Sequence, residues 1–363
     1  MNIVWLTWKD RLHPAAGGAE TVSGEIMDRL VRDGHSVQVI TSKYEGSTDS
    51  DIVNGIKFDR VGNRYSVYLA ARKLFKSKYN SGVDLVIDEM NTLPFGAPFY
   101  TKTKSVLLNY QLARSVWFYQ MSFPFSLVGY LTEPPMLRLL SKKYSAVATE
   151  SQSAKNDLLK YGFQNVQIFK VGISLKPLET LEEKVHSSTI LSLGAMRPMK
   201  RTLHAVKSFE LAKDKNPALK MVIAGDDKGR YAESVKKYIQ QSRHTASIAV
   251  LGRVTPDERV KLMEQAMIIL VTSVKEGWGL IVTEAASQGT VAIVYDTDGL
   301  RDSVQHKVTG IVTKNNDVRK MSEQILDIIN DTDTYDKMRT SAWTWSKQFT
   351  FENSYQDFLK IIT

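Results

Sequence analysis

The stretch Met267-Ile268-Ile269-Leu270-Val271-Thr272, followed shortly by Glu276-Gly277-Trp278-Gly279-Leu280-Ile281-Val282-Thr283-Glu284, reads as a buried strand, a glycine-containing loop and a helix opening near Leu280. The strand is continuously apolar rather than alternating, the pattern of a parallel strand covered on both faces. Gly277 and Gly279 let the backbone approach a ligand closely, and a helix start offers unpaired N–H groups to an anion. Glu276 on the loop and Glu284 one turn into the helix then face one crevice. Carboxylates accept paired hydrogen bonds, which suits sugar hydroxyls and a ribose diol. The alternative is that Glu284 only complements the helix dipole.

The same alternation extends in both directions. Asn2 to Trp8, Ser36 to Thr41, Asp84 to Ile87, Ser105 to Asn109 and Ser145 to Thr149 form one series of expected strands. Thr189 to Leu193, Lys220 to Ala224, Ile248 to Leu251, Met267 to Thr272 and Val291 to Tyr295 form a second. Helices are expected over Ala19 to Leu30, His204 to Lys213, Tyr231 to Gln241, Pro256 to Gln265 and Asp317 to Asn330. The last places Val318, Met321, Ile325 and Ile328 on one face. Lys176-Pro177 and the polar segment Glu179 to Ser188 read as a linker. The expected class is α/β, with two tandem Rossmann-like doubly wound domains, the first over 1–172 and the second over 173–345. Ligands of such sheets bind beyond the carboxyl ends of the strands, which points to a central cleft.

Composition narrows the partners. The chain has 363 residues, 48 Lys plus Arg against 39 Asp plus Glu, and a net charge of +9. With 43% hydrophobic and 24% charged residues it is an ordinary globular chain, not a disordered or collagen-like one. There is no cysteine, so disulfides, a thiolate nucleophile and Cys-ligated zinc are excluded. The six histidines lack zinc-motif spacing. No apolar run approaches the roughly 18 residues of a membrane span, and Met1 to Trp8 reads as a first strand rather than a signal peptide. A cytoplasmic location is expected. A pI near 9.3 favours anionic partners, although no nucleic-acid module accompanies the charge.

Two further segments carry candidate chemistry. Gly17 and Gly18, between the first strand and its helix, bring N–H groups towards a phosphate, or else form a tight turn. Leu193-Gly194-Ala195-Met196-Arg197-Pro198-Met199-Lys200-Arg201 ends a strand of the second series. There Arg197 and Lys200 suit a diphosphate whose charge grows as it leaves. A solvated basic turn is the alternative.

From Gly252 to Gly310 the chain resembles the retaining glycosyltransferases of family 4, which have the GT-B fold. The resemblance rests on Glu276 to Glu284, Ala285-Ala286-Ser287-Gln288-Gly289-Thr290 and Asp298-Gly299-Leu300-Arg301-Asp302. It continues through Gly17-Gly18-Ala19-Glu20, Gly34-His35 and Leu112-Ala113-Arg114-Ser115-Val116-Trp117-Phe118-Tyr119. It implies that Glu276 contacts the donor sugar, that Glu284 holds the nucleotide ribose, and that Gly17 and Gly18 serve the donor diphosphate and the acceptor. Gly277, Trp278, Gly279 and Leu280 then line the donor site. Arg114 and Trp117 fall on the acceptor side, unless their helix simply packs Trp117 and Phe118 into the core. Residues 346–363 are expected to be a helix crossing back to the first domain, with Trp343, Trp345, Phe349 and Phe351 packing near a hinge.

The implied activity is transfer of a hexose from a UDP- or GDP-sugar to a hydroxyl acceptor, with retention and by front-face substitution, in glycan or glycolipid synthesis. No metal is expected, on the reading that the chain lacks the Asp-x-Asp metal signature of the other main transferase fold, and no cofactor, the nucleotide-sugar being a substrate. The sequence departs from the family pattern at two positions. Tyr110 stands where a donor-binding His is usual, and Ala195 where an Arg is usual, with Arg197 two residues on. These departures keep open a nucleotide-sugar-binding protein with weak or no transferase activity. The segment Arg64 to Lys78, basic with interleaved aromatics, is either a solvated face or a peripheral contact with anionic membrane.

Overall fold

Apolar runs bounded by Gly, Pro and polar residues become two sheets, and each sheet belongs to its own unit, Met1–Gly172 with Thr350–Thr363 and Ile173–Phe349. The computed structural model describes residues 1–182 and 188–363. Part of the expected linker, Glu183 to Ser187, lies outside the described residues.

In the N-terminal unit the strands are β1 (Asn2–Leu6), β2 (Ser36–Thr41), β3 (Ser50–Val53), β4 (Ile56–Arg60), β5 (Leu85–Glu89), β6 (Lys104–Leu108), β7 (Ala146–Thr149) and β8 (Val166–Ile168). They lie in the order β3-β4-β2-β1-β5-β6-β7-β8, parallel except for the β3–β4 hairpin. Helices α1 (Gly18–Arg32), α2 (Val67–Lys78), α3 (Trp117–Gln120), α4 (Phe125–Leu140) and α5 (Gln152–Lys160) connect them.

The C-terminal unit has β9 (Thr189–Leu193), β10 (Lys220–Ala224), β11 (Ile248–Gly252), β12 (Ile268–Val271), β13 (Val291–Tyr295) and β14 (Gly310–Thr313). Its order is β11-β10-β9-β12-β13-β14, all parallel. Its helices are α6 (Thr202–Lys213), α7 (Arg230–Gln240), α8 (Pro256–Gln265), α9 (Leu280–Ser287), α10 (Leu300–Ser303), α11 (Val318–Asn330) and α12 (Thr332–Ser346). The loops after β9, β12 and β13 all leave the carboxyl edge of this sheet, as the topology of parallel strands requires.

The last helix, α13 (Phe351–Ile362), belongs to the N-terminal unit. Phe358 stacks on Trp5 at 5.6 Å and meets Phe169 edge-on at 5.7 Å. The Tyr355 hydroxyl donates to Asp33 Oδ2 at 2.8 Å, and Lys104 Nζ donates to the Ile362 carbonyl at 2.8 Å. The division falls after Phe349 rather than at 345, because Phe349 packs on Trp278 and Trp345 of the C-terminal unit, each at 5.2 Å.

Several elements differ from the sequence reading. β1 stops at Leu6, two residues before the expected Trp8. The hairpin β3–β4 was not expected, although Asn54-Gly55 marks its turn. Both residues have positive φ, 53° and 78°, as a tight hairpin turn with the right twist requires. Helix α4 was missed because Pro134 and Pro135 lie within it. Trp117 is half-buried and Phe118 is 51% exposed, so the alternative that their helix packs both into the core does not hold. The short helix α3 presents no buried residue of its own, and the core beside it is filled by Val116 and Leu112.

Glu133 of α4 ties that region together. Its buried carboxylate accepts from Ala113 N at 2.9 Å, Arg114 N at 2.8 Å and Trp117 Nε1 at 3.0 Å, and it pairs with Arg114 at 3.5 Å. Glu133→Ala orphans buried donors and is expected to cost about 2–4 kcal/mol. Urea denaturation followed by tryptophan fluorescence measures the loss, and unchanged stability would refute the tethering role.

Candidate functional site

In the C-terminal unit, β9 runs into a loop that ends in a single 3-10 turn, Pro198–Lys200. Thr272, just past β12, fixes this turn by donating from Oγ1 to the carbonyls of Lys200 at 2.8 Å and Arg201 at 3.0 Å. Val274 N donates to the Met199 carbonyl at 2.8 Å. The loops after β9 and β12 are therefore bound backbone to backbone. Their side chains meet as well, with Lys200 Nζ 2.5 Å from Glu276 Oε1. Two residues singled out from distant segments are thus brought together. Arg197, two residues past Ala195, is exposed and takes no part in that pair.

The loop after β13 supports the Glu276 segment from the other side. Glu276 N donates to the Asp298 carbonyl at 3.0 Å. Gly299 has φ +78°, and a Cβ there would overlap the Glu276 carbonyl oxygen, so only glycine permits this approach. Lys275, nearly buried, pairs with Asp298 at 3.2 Å. Arg301 grips Asp296 at 2.7 Å and Asp298 at 2.5 Å.

Gly279 precedes α9 with φ +90°, and Leu280 opens the helix. Glu284 lies on the second turn, buried, and its carboxylate is bound by the Arg259 guanidinium of α8. Burial pushes Glu284 above the usual carboxylate range, with Arg259 pulling the other way. Arg259 was missed in the sequence. The available signal was Thr255-Pro256-Asp257-Glu258, whose capping pair, Thr255 N to Glu258 Oε2 at 2.8 Å and Glu258 N to Thr255 Oγ1 at 3.2 Å, sets the phase of α8. Trp278 packs its ring on Phe349, and its buried Nε1 has no hydrogen-bond partner among the described residues.

The reading that the chain lacks an Asp-x-Asp triplet is corrected, since the spacing occurs at Asp49-Ser50-Asp51, Asp296-Thr297-Asp298 and Asp331-Thr332-Asp333. The middle one, beside the Glu276 loop, is held by Arg301 and Lys275. Among the described residues no group of three or more His, Cys, Asp or Glu is arranged to hold a metal.

In the N-terminal unit, Gly17 and Gly18 are exposed at the head of α1. The Gly17 N–H donates to Glu20 Oε2 at 2.6 Å, and Lys9 pairs with that carboxylate at 3.1 Å. The amide assigned to a phosphate is thus satisfied by the chain's own acid. Tyr110 is 6% exposed, its hydroxyl 2.6 Å from Ser23 Oγ and donating to the Ala19 carbonyl at 3.2 Å. It holds α1 instead of presenting its hydroxyl outward. Arg114 is likewise turned inward, its guanidinium 4.3 Å from the Tyr130 ring and donating to the Tyr130 carbonyl at 3.0 Å.

Beneath Tyr110 lies Glu89, at the end of β5, which the sequence reading did not single out. Its Oε2 accepts from Trp5 Nε1 at 2.7 Å and Ser23 Oγ at 2.9 Å. Burial, with the nearby Glu20 charge, pushes its carboxyl up to about 8 from an ordinary 4.5.

The chain matches the family Glycosyl transferases group 1 over residues 179–345 and Glycosyltransferase Family 4 over residues 16–176. It is 27% identical over 187 residues to the poly(glycerol-phosphate) alpha-glucosyltransferase of Bacillus subtilis. That match takes in 50% of this chain and only 27% of the Bacillus protein. An uncharacterized glycosyltransferase of Haemophilus influenzae is 23% identical, with 96% of this chain and 97% of that one covered. Among solved structures, sucrose-phosphate synthase from Thermosynechococcus elongatus superposes with a TM-score of 0.79 at 15% identity, covering 99% and 97% of the two chains. Anabaena HepE in complex with UDP-glucose superposes with a TM-score of 0.76 at 15% identity, covering 99% and 98%. These likenesses establish the GT-B fold.

Glu89 gives the N-terminal unit a pH signature. A carboxyl raised in the folded state favours the protonated form, so its contribution is greatest below the ordinary glutamate value and is lost as pH climbs to about 8. Relative to the parent, Glu89→Gln should gain stability steadily from about pH 5 to about pH 8. Urea midpoints across that range test this, and parallel pH profiles would contradict it.

Proposed function

The chain belongs to the glycosyltransferases of family 4, and we propose that it transfers a hexose from a UDP- or GDP-sugar to a hydroxyl acceptor with retention. The observation that carries this reading is the Lys200–Glu276 pair at the carboxyl edge of the C-terminal sheet, together with the Glu284–Arg259 pair of α9 and α8. The Lys200 amine is placed to offset charge growing on a departing diphosphate, and Glu276 to accept from sugar hydroxyls. Glu284, relieved of part of its bond to Arg259, accepts from the ribose diol. Arg197, exposed on the same loop, adds a second cation for the phosphates. The departing phosphate takes the acceptor's proton on the face the sugar leaves, so no metal is required. The Bacillus relative's name, an alpha-glucosyltransferase of a phosphate-linked polymer, and the UDP-glucose held by HepE favour a nucleotide hexose and a cell-surface glycan or glycolipid.

A second reading, nucleotide-sugar binding without transfer, is favoured by Tyr110, whose hydroxyl is engaged inside the fold where a donor-contacting group would be needed. Hydrolysis of the donor in the absence of acceptor separates the two, since only a catalytic site breaks the glycosyl bond. Transfer or hydrolysis should persist in EDTA, and its abolition would overturn the metal-free mechanism. Lys200→Ala should weaken UDP or GDP binding roughly tenfold to a hundredfold, the range for a charge-assisted hydrogen bond, by calorimetry. Unchanged affinity would remove Lys200 from the site.

A further inference from the structure

Helix α4 turns an apolar face to the outside. Its inward side carries Ser126, Gly129, Glu133, Leu137 and Leu140, the helical spacing of a buried stripe. The opposite side would ordinarily be polar. Instead Phe125 is 63% exposed, Val128 55%, Leu131 60% and Leu139 60%, and Phe123 just before the helix is 78% exposed. Contiguous exposed apolar side chains of this size mark a surface that another phase or molecule covers.

The charge around this face identifies what covers it. From Arg114 to Thr149 the only acidic residue is Glu133, and it is buried under Arg114 and Trp117. Arg138, Lys142 and Lys143 are exposed at the far end of the helix. A second copy meeting through the same segment would bring like charges together, with no exposed acid of that segment to offset them. A bilayer with anionic headgroups supplies both an apolar boundary and negative charge.

We propose that α4 is a membrane-docking helix, which seats Phe123, Phe125, Val128 and Leu131 at the acyl boundary of an anionic bilayer while Arg138, Lys142 and Lys143 meet lipid phosphates. The basic segment Arg64 to Lys78 is less suited to that role. Its helix α2 buries Val67, Ala71 and Phe75, and leaves only Tyr65 and Leu69 as large exposed apolar side chains among its cations. The docking proposal stands apart from the transfer chemistry, because none of its residues belongs to the donor or acceptor machinery.

The test is flotation of the full chain with phosphatidylcholine vesicles, with and without phosphatidylglycerol. The parent should float with the anionic vesicles and far less with the neutral ones. The double substitution Val128→Glu and Leu131→Glu should cut that binding roughly tenfold or more, since it removes exposed apolar anchors and adds repulsion. Both positions face outward, so its circular dichroism and its thermal shift with UDP or GDP should match the parent's. A parent that floats with neither vesicle type, equal flotation with both, or a variant that floats as well as the parent would overturn the proposal. So would a lipid-free dimer in sedimentation analysis that the same substitution dissolves.

Discussion

A lysine amine 2.5 Å from a carboxylate, Lys200 to Glu276, joins the loops after β9 and β12 at the carboxyl edge of the C-terminal sheet. Both partners are partly exposed, and an ion pair in that setting contributes at most about 1 kcal/mol. Its value is therefore not stability. The side-chain bonds from Thr272 and the backbone bond from Val274 already hold the loops together. The pair keeps a cation and an acceptor in register, and so weak a pair parts at little cost.

Glu284 obeys a different constraint. A buried carboxylate needs a partner, and Arg259 from the neighbouring helix supplies it. The same logic runs through the N-terminal unit. There Glu20 satisfies Gly17, Glu133 satisfies three donors near α3, and Glu89 sits on Trp5 and Ser23. Buried acidic side chains do the positioning in both units, at a strand end for Glu89, in first or second helical turns for Glu20 and Glu284, and mid-helix for Glu133. The glycines, Gly299 above all, allow the close approaches that result.

Much of this was legible in the sequence where local pattern suffices. β2, β9, β10, β13 and α8 occupy their expected residues, because each is an apolar run or amphipathic stretch with clear punctuation. The hairpin at Asn54-Gly55 carried a readable signal that went unused. Helix α4 was obscured by its two prolines and by apolar residues on both sides, which give no single stripe to follow. Arg259 follows a readable capping pair, but its role and that of Glu89 depend on partners contributed by other elements. Tyr110 was noticed as an unusual residue, but only the fold shows its hydroxyl bonded to α1 across the unit. The Asp-x-Asp triplet at Asp296 contradicts the reading that the chain has none, and in the fold its carboxylates are ion-paired.

The most direct measurement is a crystal structure of this chain grown with UDP-glucose or a GDP-hexose. The account requires the diphosphate within hydrogen-bond reach of Lys200 Nζ, the ribose against Glu284 and the sugar against Glu276. Nucleotide density elsewhere, with the Lys200–Glu276 pair left undisturbed, would contradict it.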